Sequence, residues 1–396
     1  VPECQTPAVA VFDDSLTQYD FGPAHPMSPV RVDLTMRLAH ELGVFSGPRA
    51  LRLVDAPVAD DDLLSTIHLP RLITAVKEAG RTGEANERLG IGTEDNPVFS
   101  RMHEAGAHVV GATVEACRQV WEGHAGHAAS ISGGLHHAMP HRVSGFCVYN
   151  DVAVGIRWLL DHGAERVAYV DVDAHHGDGV ERIFWDDPRV LTISLHETGQ
   201  VLFPGTGFPA DTGGRGCEGS AANVALPPGT ADAGWLRAFH AVVPDLLAEF
   251  KPDVLVSQHG ADSHSRDPLT HLGLSVDGQR ATHAALHELA HSTAGGRWVA
   301  VGGGGYELVG VVPRTWTHLL AEVAGAPLPP EAEVPSAWLR YVDERFGLAG
   351  PTLMTDGVTP EYRPWSQGYD PAQWLDAAVH ETRMALFPLH GLDPMP

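Results

Sequence analysis

Short apolar runs alternate along this chain with longer stretches in which apolar residues recur every three or four positions. The short runs are Ala8–Phe12, Ala128–Ser132, Val167–Val172, Val190–Leu195, Val254–Ser257 and Trp298–Val301. Several are unbroken Val/Ile/Ala/Leu, the pattern of strands covered on both faces. Helical periodicity marks Pro29–Leu42, Met102–Trp121, Val152–Asp161, Asp232–Phe250 and Gln279–Thr293. Alternation of this kind predicts an α/β fold, a mostly parallel sheet with helices on both sides. No internal repeat and no low-complexity linker divides the chain. From about Gly325 the texture changes to prolines, tryptophans and short turns. We therefore expect a main domain over residues 1–325 and an irregular extension over 326–396, packed on that same domain.

Five of the predicted strands run into polar or glycine-rich endings. These are GGLHHA with His136 and His137, DVDAHHGDG after Val167–Val172, FPGTG after Val190–Leu195, QHGAD with Asp262, and GGGGY with Tyr306. Parallel sheets bind ligands beyond the carboxyl ends of their strands. In extended backbone, residues two apart share a face, which applies to Asp171, Asp173 and His175. Asp173 and His175 are thus placed to clasp one cation, and Asp262 is the best third ligand. Two carboxylates and one imidazole leave coordination positions open, as in catalytic sites. Zn²⁺ suits the set; Fe²⁺ and Co²⁺ are alternatives.

Each ending has a duller reading when taken alone. Asp171 reads as a strand-end cap, HHGDG as a turn, His136–His137 as a polar turn and GGGG as a tight turn. His176 points off the shared face and reads as structural. The glycines lack the spacing of a dinucleotide fingerprint. Five such endings on one sheet edge are hard to explain as loop composition. A rival signal is HELAH at His287–His291, which matches the H-E-x-x-H zinc-protease pattern. His283, His287 and His291 share a helical face there, with Glu307 as an imaginable further ligand. That helix should cover a sheet face, away from the strand endings.

Composition narrows the partners. The 396 residues carry a net charge of −24, which argues against a nucleic-acid groove and tolerates a cationic, lysine-rich partner. Histidine is plentiful, at 24 residues. The four cysteines, Cys4, Cys117, Cys147 and Cys217, form no C-x-x-C pair and read as reduced thiols of a cytoplasmic protein. The N-terminal stretch shows no signal-peptide pattern, and no apolar run reaches membrane length. Nothing in the sequence speaks to oligomeric state.

Taken in order, HPMSPVR, EDNPVF, GGLHHA, SGFCVYND, YVDVDAHHGDG, FPGTG, QHGAD and GGGGY resemble the histone deacetylase superfamily across roughly residues 17–322. VVPRTWTHL and HETRMALFPLHGLDPM look most like its bacterial acetoin-utilisation branch. The resemblance implies a three-layer α/β/α, arginase-like fold around a central, mostly parallel eight-stranded sheet. It implies metal-dependent removal of acetyl groups from lysine side chains of a protein or peptide; charge and hydropathy speak against nucleic acid and membrane as partners. The family's metal ligands fall on Asp173, His175 and Asp262. Its histidine pair falls on His136 and His137, partnered by Asp171 and Asp178, and its carbonyl-polarising tyrosine on Tyr306. Substrate contacts map to Phe146, Phe203, Gly145, Gly304 and the rim residue Asp95. Arg31 and Cys147 map near an inner acetate exit. Structural K⁺ or Na⁺ sites map to Asp171, Asp173, His175, Ser194 and Leu195, and to Phe184, Asp187 and Val190. An acetylpolyamine or other small amide is the alternative substrate on the same fold, and a non-catalytic acetyl-lysine binding module is a further alternative.

Overall fold

The computed structural model describes residues 7–396. Eight strands form one sheet: β1 (Ala8–Val11), β2 (Arg52–Val54), β3 (His127–Ser130), β4 (Val167–Asp171), β5 (Val190–Glu197), β6 (Ala221–Leu226), β7 (Val254–Gln258) and β8 (Trp298–Val301). Their order is β2-β1-β3-β8-β7-β4-β5-β6, and every neighbouring pair is parallel. All carboxyl ends therefore meet at one edge. The helices are α1 (Val30–Glu41), α2 (Asp61–Leu64), α3 (Pro70–Thr82), α4 (Met102–Trp121), α5 (Asp151–Asp161), α6 (Asp178–Phe184), α7 (Asp232–Phe250), α8 (Val276–Thr293), α9 (Val312–Val323), α10 (Ser336–Phe346) and α11 (Trp374–Leu386).

The side-chain alternation of each strand feeds two separate cores. Val167, Tyr169, Val254, Val256, Val299 and Val301 pack toward α3, α4 and α5. Ala168, Val170, Leu255, Trp298 and Ala300 pack toward α7, α8, α9 and α11 on the other face. Period-two alternation with both faces apolar explains why these strands read as unbroken hydrophobic runs. The three layers follow directly. α10 lies outside them, with Trp338 and Val342 against Leu34 and Leu38 of α1.

Two strands escaped the hydrophobic pattern. β2 is a three-residue edge strand whose residues are exposed or half-buried, and β6 (AANVAL) opens on alanines and an asparagine after a glycine-rich segment. The expectation of irregular backbone beyond Gly325 is corrected. Prolines 327, 329, 330, 335, 351, 360, 364 and 371 sit between helices, and α10 and α11 contain none. α11 is held by buried polar contacts. Arg237 of α7 donates to Asp376 at 2.7 and 3.1 Å, and Thr382 donates to the Asn223 carbonyl of β6 at 2.7 Å. Among the described residues Cys117, Cys147 and Cys217 are free thiols, and Cys4 lies outside them. No helix among the described residues is long and apolar enough to cross a membrane.

Candidate active site

The register aligns Asp171 with Ser194 on one side and Gln258 on the other, so the polar endings start level across the sheet. β4 stops at Asp171, and the next residues turn over the strand ends. Asp173 and His175 project there, and the β7 ending brings Asp262 to meet them. His175 Nδ1 lies 3.1 Å from Asp173 Oδ1 and 2.9 Å from Asp262 Oδ2. The donor atoms of all three lie within 4.8 Å of one another, and all three residues are buried. Backbone and side-chain donors orient the carboxylates. Gln258 Nε2 and Gly304 N donate to Asp173 Oδ2, at 2.7 and 2.8 Å. Ala174 N donates to Asp262 Oδ1 at 2.9 Å. Gly304 has to be glycine, because a Cβ there would stand 2.1 Å from Asp262 Oδ2.

This donor set fits a divalent cation. Burial pushes Asp262 up to about 8, and the nearby Asp173 charge adds to the push. Two crowded carboxylates disfavour each other's ionisation, and a cation between them removes that conflict. Asp171 stands behind the cluster, where the resemblance puts it, against His136. Its Oδ2 accepts from Tyr169 Oη at 2.7 Å and from His136 Nδ1 at 2.7 Å. His176 is turned away, 2.8 Å from Thr206 Oγ1 and 3.1 Å from Glu181 Oε2.

His136 and His137 form a pair with Nε2 atoms 3.1 Å apart. His137 Nδ1 donates to Asp178 Oδ1 at 2.7 Å. Their environments drive them apart. Burial pulls His136 down, but Asp171 and Asp173 outweigh it and lift the imidazole to about 9. Burial, together with the His136 charge, lowers His137 to about 4. Neighbouring groups tuned in opposite directions are a mark of acid–base machinery.

A cavity of about 220 Å³ opens from this cluster to the surface. Asp95, Gly145, Phe146, Phe203 and Tyr306 line it with His137 and His175; so do Leu202 and Leu269, which the sequence reading missed. No motif pointed to those two leucines. Phe203 meets His137 edge-on with ring centroids 5.0 Å apart, and Phe146 meets Tyr306 at 5.8 Å. Phe146 sits at φ 67°, a left-handed conformation that bulky residues avoid. Asn96 Oδ1 accepts from its N–H at 2.8 Å, and Tyr19 Oη donates to its carbonyl at 2.7 Å, which pins the strained turn. Burial, then the Asp262 and Asp173 charges, push the Tyr306 phenol well above its ordinary range, so it stays a donor.

Arg31 and Cys147 do not line the cavity. Arg31 Nη1 donates to Gly303 and Gly305 carbonyls at 2.9 and 3.1 Å, bracing the turn before Tyr306. Cys147 Sγ contacts the Gly145 carbonyl at 3.1 Å. Ser194 bonds His196 at 2.8 Å beside the Asp171 ending, and Leu195 follows it in β5. Phe184, Asp187 and Val190 are joined in one turn by Asp187 N→Phe184 O and Val190 N→Asp187 O bonds of 2.9 and 3.2 Å. The HELAH helix lies elsewhere: His287 and His291 group with His127, not with Glu307, and Glu288 is exposed. His283 packs against His259 instead, 4.8 Å between rings.

Residues 25–323 match the histone deacetylase domain family. The chain belongs to that family. The acetoin utilization protein AcuC of Bacillus subtilis is 41% identical over 352 residues, covering 88% of this chain and 90% of its own. AcuC of Staphylococcus xylosus is 36% identical over 332 residues, covering 83% and 85%. The crystal structure of the HDA15 HD domain superposes with a TM-score of 0.72 at 22% identity, covering 96% of both chains, and shares the fold. This histone deacetylase family member is accordingly a metal-dependent deacetylase, a hydrolase, built on the eight-stranded parallel fold.

Proposed function

We propose that the chain hydrolyses acetylated lysine side chains of proteins or peptides, releases acetate, and uses Zn²⁺ held by Asp173, His175 and Asp262. One observation carries this reading. A cavity with aromatic side walls brings together His137, Tyr306 and His175, the last of which belongs to the three-ligand cluster. Phe146 and Phe203 offer flat apolar walls to the four-methylene stem of an uncharged acyl-lysine. Asp95 at the mouth accepts a substrate N–H.

The metal, when bound, supplies Lewis acidity, polarising the amide carbonyl and lowering the pKa of water toward ~7. Of the His136/His137 pair, His137 is the imidazole that lines the cavity. With Nδ1–H fixed on Asp178, its Nε2 takes a proton from the attacking water. The same proton passes to the departing lysine nitrogen as the C–N bond breaks. His136, held on Asp171, keeps positive charge beside the reacting centre. The Tyr306 hydroxyl donates to the developing oxyanion. Arg31 holds the turn that aims this phenol.

Zinc-reconstituted protein should release acetate from acetyl-lysine peptides faster than from acetylspermidine. Tyr306→Phe should keep its metal and lose about 10²–10³-fold in kcat, as when one oxyanion donor is removed. Faster turnover of acetylspermidine would move the substrate to small cationic amides. Full activity in Tyr306→Phe would take that phenol out of the chemistry.

A further inference from the structure

The opposite edge of the sheet carries a second group of ligand-type side chains. His127 opens β3, and His287 and His291 lie one helical turn apart near the end of α8. One donor atom from each lies within 4.8 Å of the other two. His287 Nε2 and His291 Nε2 are 3.1 Å apart, the same spacing as between Asp173 Oδ1 and His175 Nδ1.

Two of these rings are fixed from behind. His287 Nδ1 faces Glu322 Oε1 of α9 at 2.7 Å, and His127 Nδ1 faces the Val323 carbonyl at 3.0 Å. A carbonyl and a carboxylate accept, so each Nδ1 carries a hydrogen and Nε2 is the nitrogen that a metal would take. Metal-bound histidines are oriented in this way, by a carboxylate or a backbone carbonyl on the far nitrogen. Trp298 stacks on His287 at 5.4 Å with planes 13° apart, which limits rotation of that ring. His127 meets His287 and His291 edge-on, with centroids 4.7 and 5.1 Å apart. His291 is half-buried and gives the group an approach from solvent.

We propose that His127, His287 and His291 form a second transition-metal site that takes Zn²⁺ or another imidazole-preferring divalent ion, separate from the Asp173/His175/Asp262 centre. Imidazole ligands suit Zn²⁺, Co²⁺, Ni²⁺ and Cu²⁺ and exclude Mg²⁺ and Ca²⁺. The site joins the start of β3 to the ends of α8 and α9, so its ion acts as a staple rather than a reactant. Glu288 of the HELAH pattern is exposed and takes no part.

The test is a Co²⁺ titration of tag-free, metal-stripped full chain, followed by visible absorption and by metal analysis after gel filtration. Wild type should retain two equivalents, and His291→Gln one. His291 is the least buried ligand, so this variant should fold, which circular dichroism checks. His291→Gln should keep acetate release unchanged, whereas Asp262→Ala should also retain one equivalent and lose turnover. Thermal unfolding of wild type, but not of His291→Gln, should shift upward on adding the second equivalent. A single equivalent in folded wild type overturns the proposal. So does retention of both equivalents by His291→Gln, because the second ion then sits elsewhere.

Discussion

Asp178→Asn tests the proton chemistry more sharply than loss of a ligand would. Asp178 is outside the metal cluster, so the substitution leaves Asp173, His175 and Asp262 in place. Its Oδ1 accepts from His137 Nδ1 at 2.7 Å, and both side chains are mostly buried, 6% and 11% exposed. Asparagine keeps the shape and removes the charge. Asp178 is a group that raises His137 against burial and against the His136 charge. Without it the imidazole falls further below about 4, and proton uptake during the reaction becomes more costly. A hydrogen bond to a charged partner is worth about 1.5–3 kcal/mol net, and ~1.4 kcal/mol is tenfold in rate. The minimum expected loss in kcat is therefore about 10- to 150-fold. A flipped amide that donates to Nδ1 would move the ring hydrogen to Nε2, the atom that must accept, and deepen the loss. Steady-state acetate release and metal content measured on the same preparation give the answer. A kcat within twofold of the parent at full metal occupancy would refute the role of His137 as the base.

Gly145→Ala should cut kcat about 10²-fold without unfolding the protein. The new Cβ would stand 2.5 Å from His137 Cδ2 at a backbone φ of 52°, and displacements near 1 Å cost that much. Kinetics with a parallel melting curve check it. Acid should destabilise the fold through buried neutral imidazoles. Burial lowers His68 from 6.5 to about 4, where its nitrogens meet the Met139 carbonyl and the Asn150 N–H. The unfolded chain takes up that proton first, so stability is full above pH 6.5 and falls toward pH 4, by about 3 kcal/mol when complete. Urea unfolding at pH 7 and pH 5 should show the drop, and His68→Gln should flatten it. Asp376→Ala strands the Arg237 guanidinium, which is buried and also donates to the Arg363, Pro364 and Gly368 carbonyls. Losing one partner of a buried pair costs about 3–5 kcal/mol. Denaturant midpoints measure the loss.

What the chain disclosed before its structure depended on how far each signal reaches along it. The strand from Val167 and the helices Met102–Trp121 and Asp232–Phe250 were legible because burial imprints a local period. The edge strand β2 carries no such imprint, since its residues are exposed or half-buried. α10 and α11 were hidden by the prolines around them. Asp173 and His175 were legible as a pair from spacing alone. Asp262 was placed as the best third ligand because it ends another strand. The partnerships His136–Asp171 and His137–Asp178 span 35 and 41 residues and came only from the resemblance. Gln258 stood inside a quoted motif, yet its role in holding Asp173 appeared only with the fold. HELAH shows the converse. The spacing correctly put two imidazoles on one face, but their third neighbour is His127, 160 residues upstream of His287 and invisible to any local pattern.

Arg31 joins the electrostatics of the centre to its geometry. Its guanidinium is buried, and its hydrogen bonds go to the Ser28, Gly303 and Gly305 carbonyls and the Met27 sulfur. Burial pulls its pKa down, while Tyr306, Asp262, Asp173 and Asp267 hold it up. The charge is therefore stabilised by acidic groups that it does not touch. Those groups cluster where they repel one another, as the raised Asp262 shows. A fixed cation behind the GGGGY turn reduces that repulsion without competing for the ligand oxygens. Nη1 also needs two carbonyls in a set orientation, and the folded turn presents them. Arg31 thus favours the same backbone that places the Gly304 N–H on Asp173 and Tyr306 over the cavity. Nη1 reaches both glycine carbonyls while Nε reaches the Ser28 carbonyl and Nη2 the Met27 sulfur, a planar spread of donors that a lysine's single ammonium cannot span.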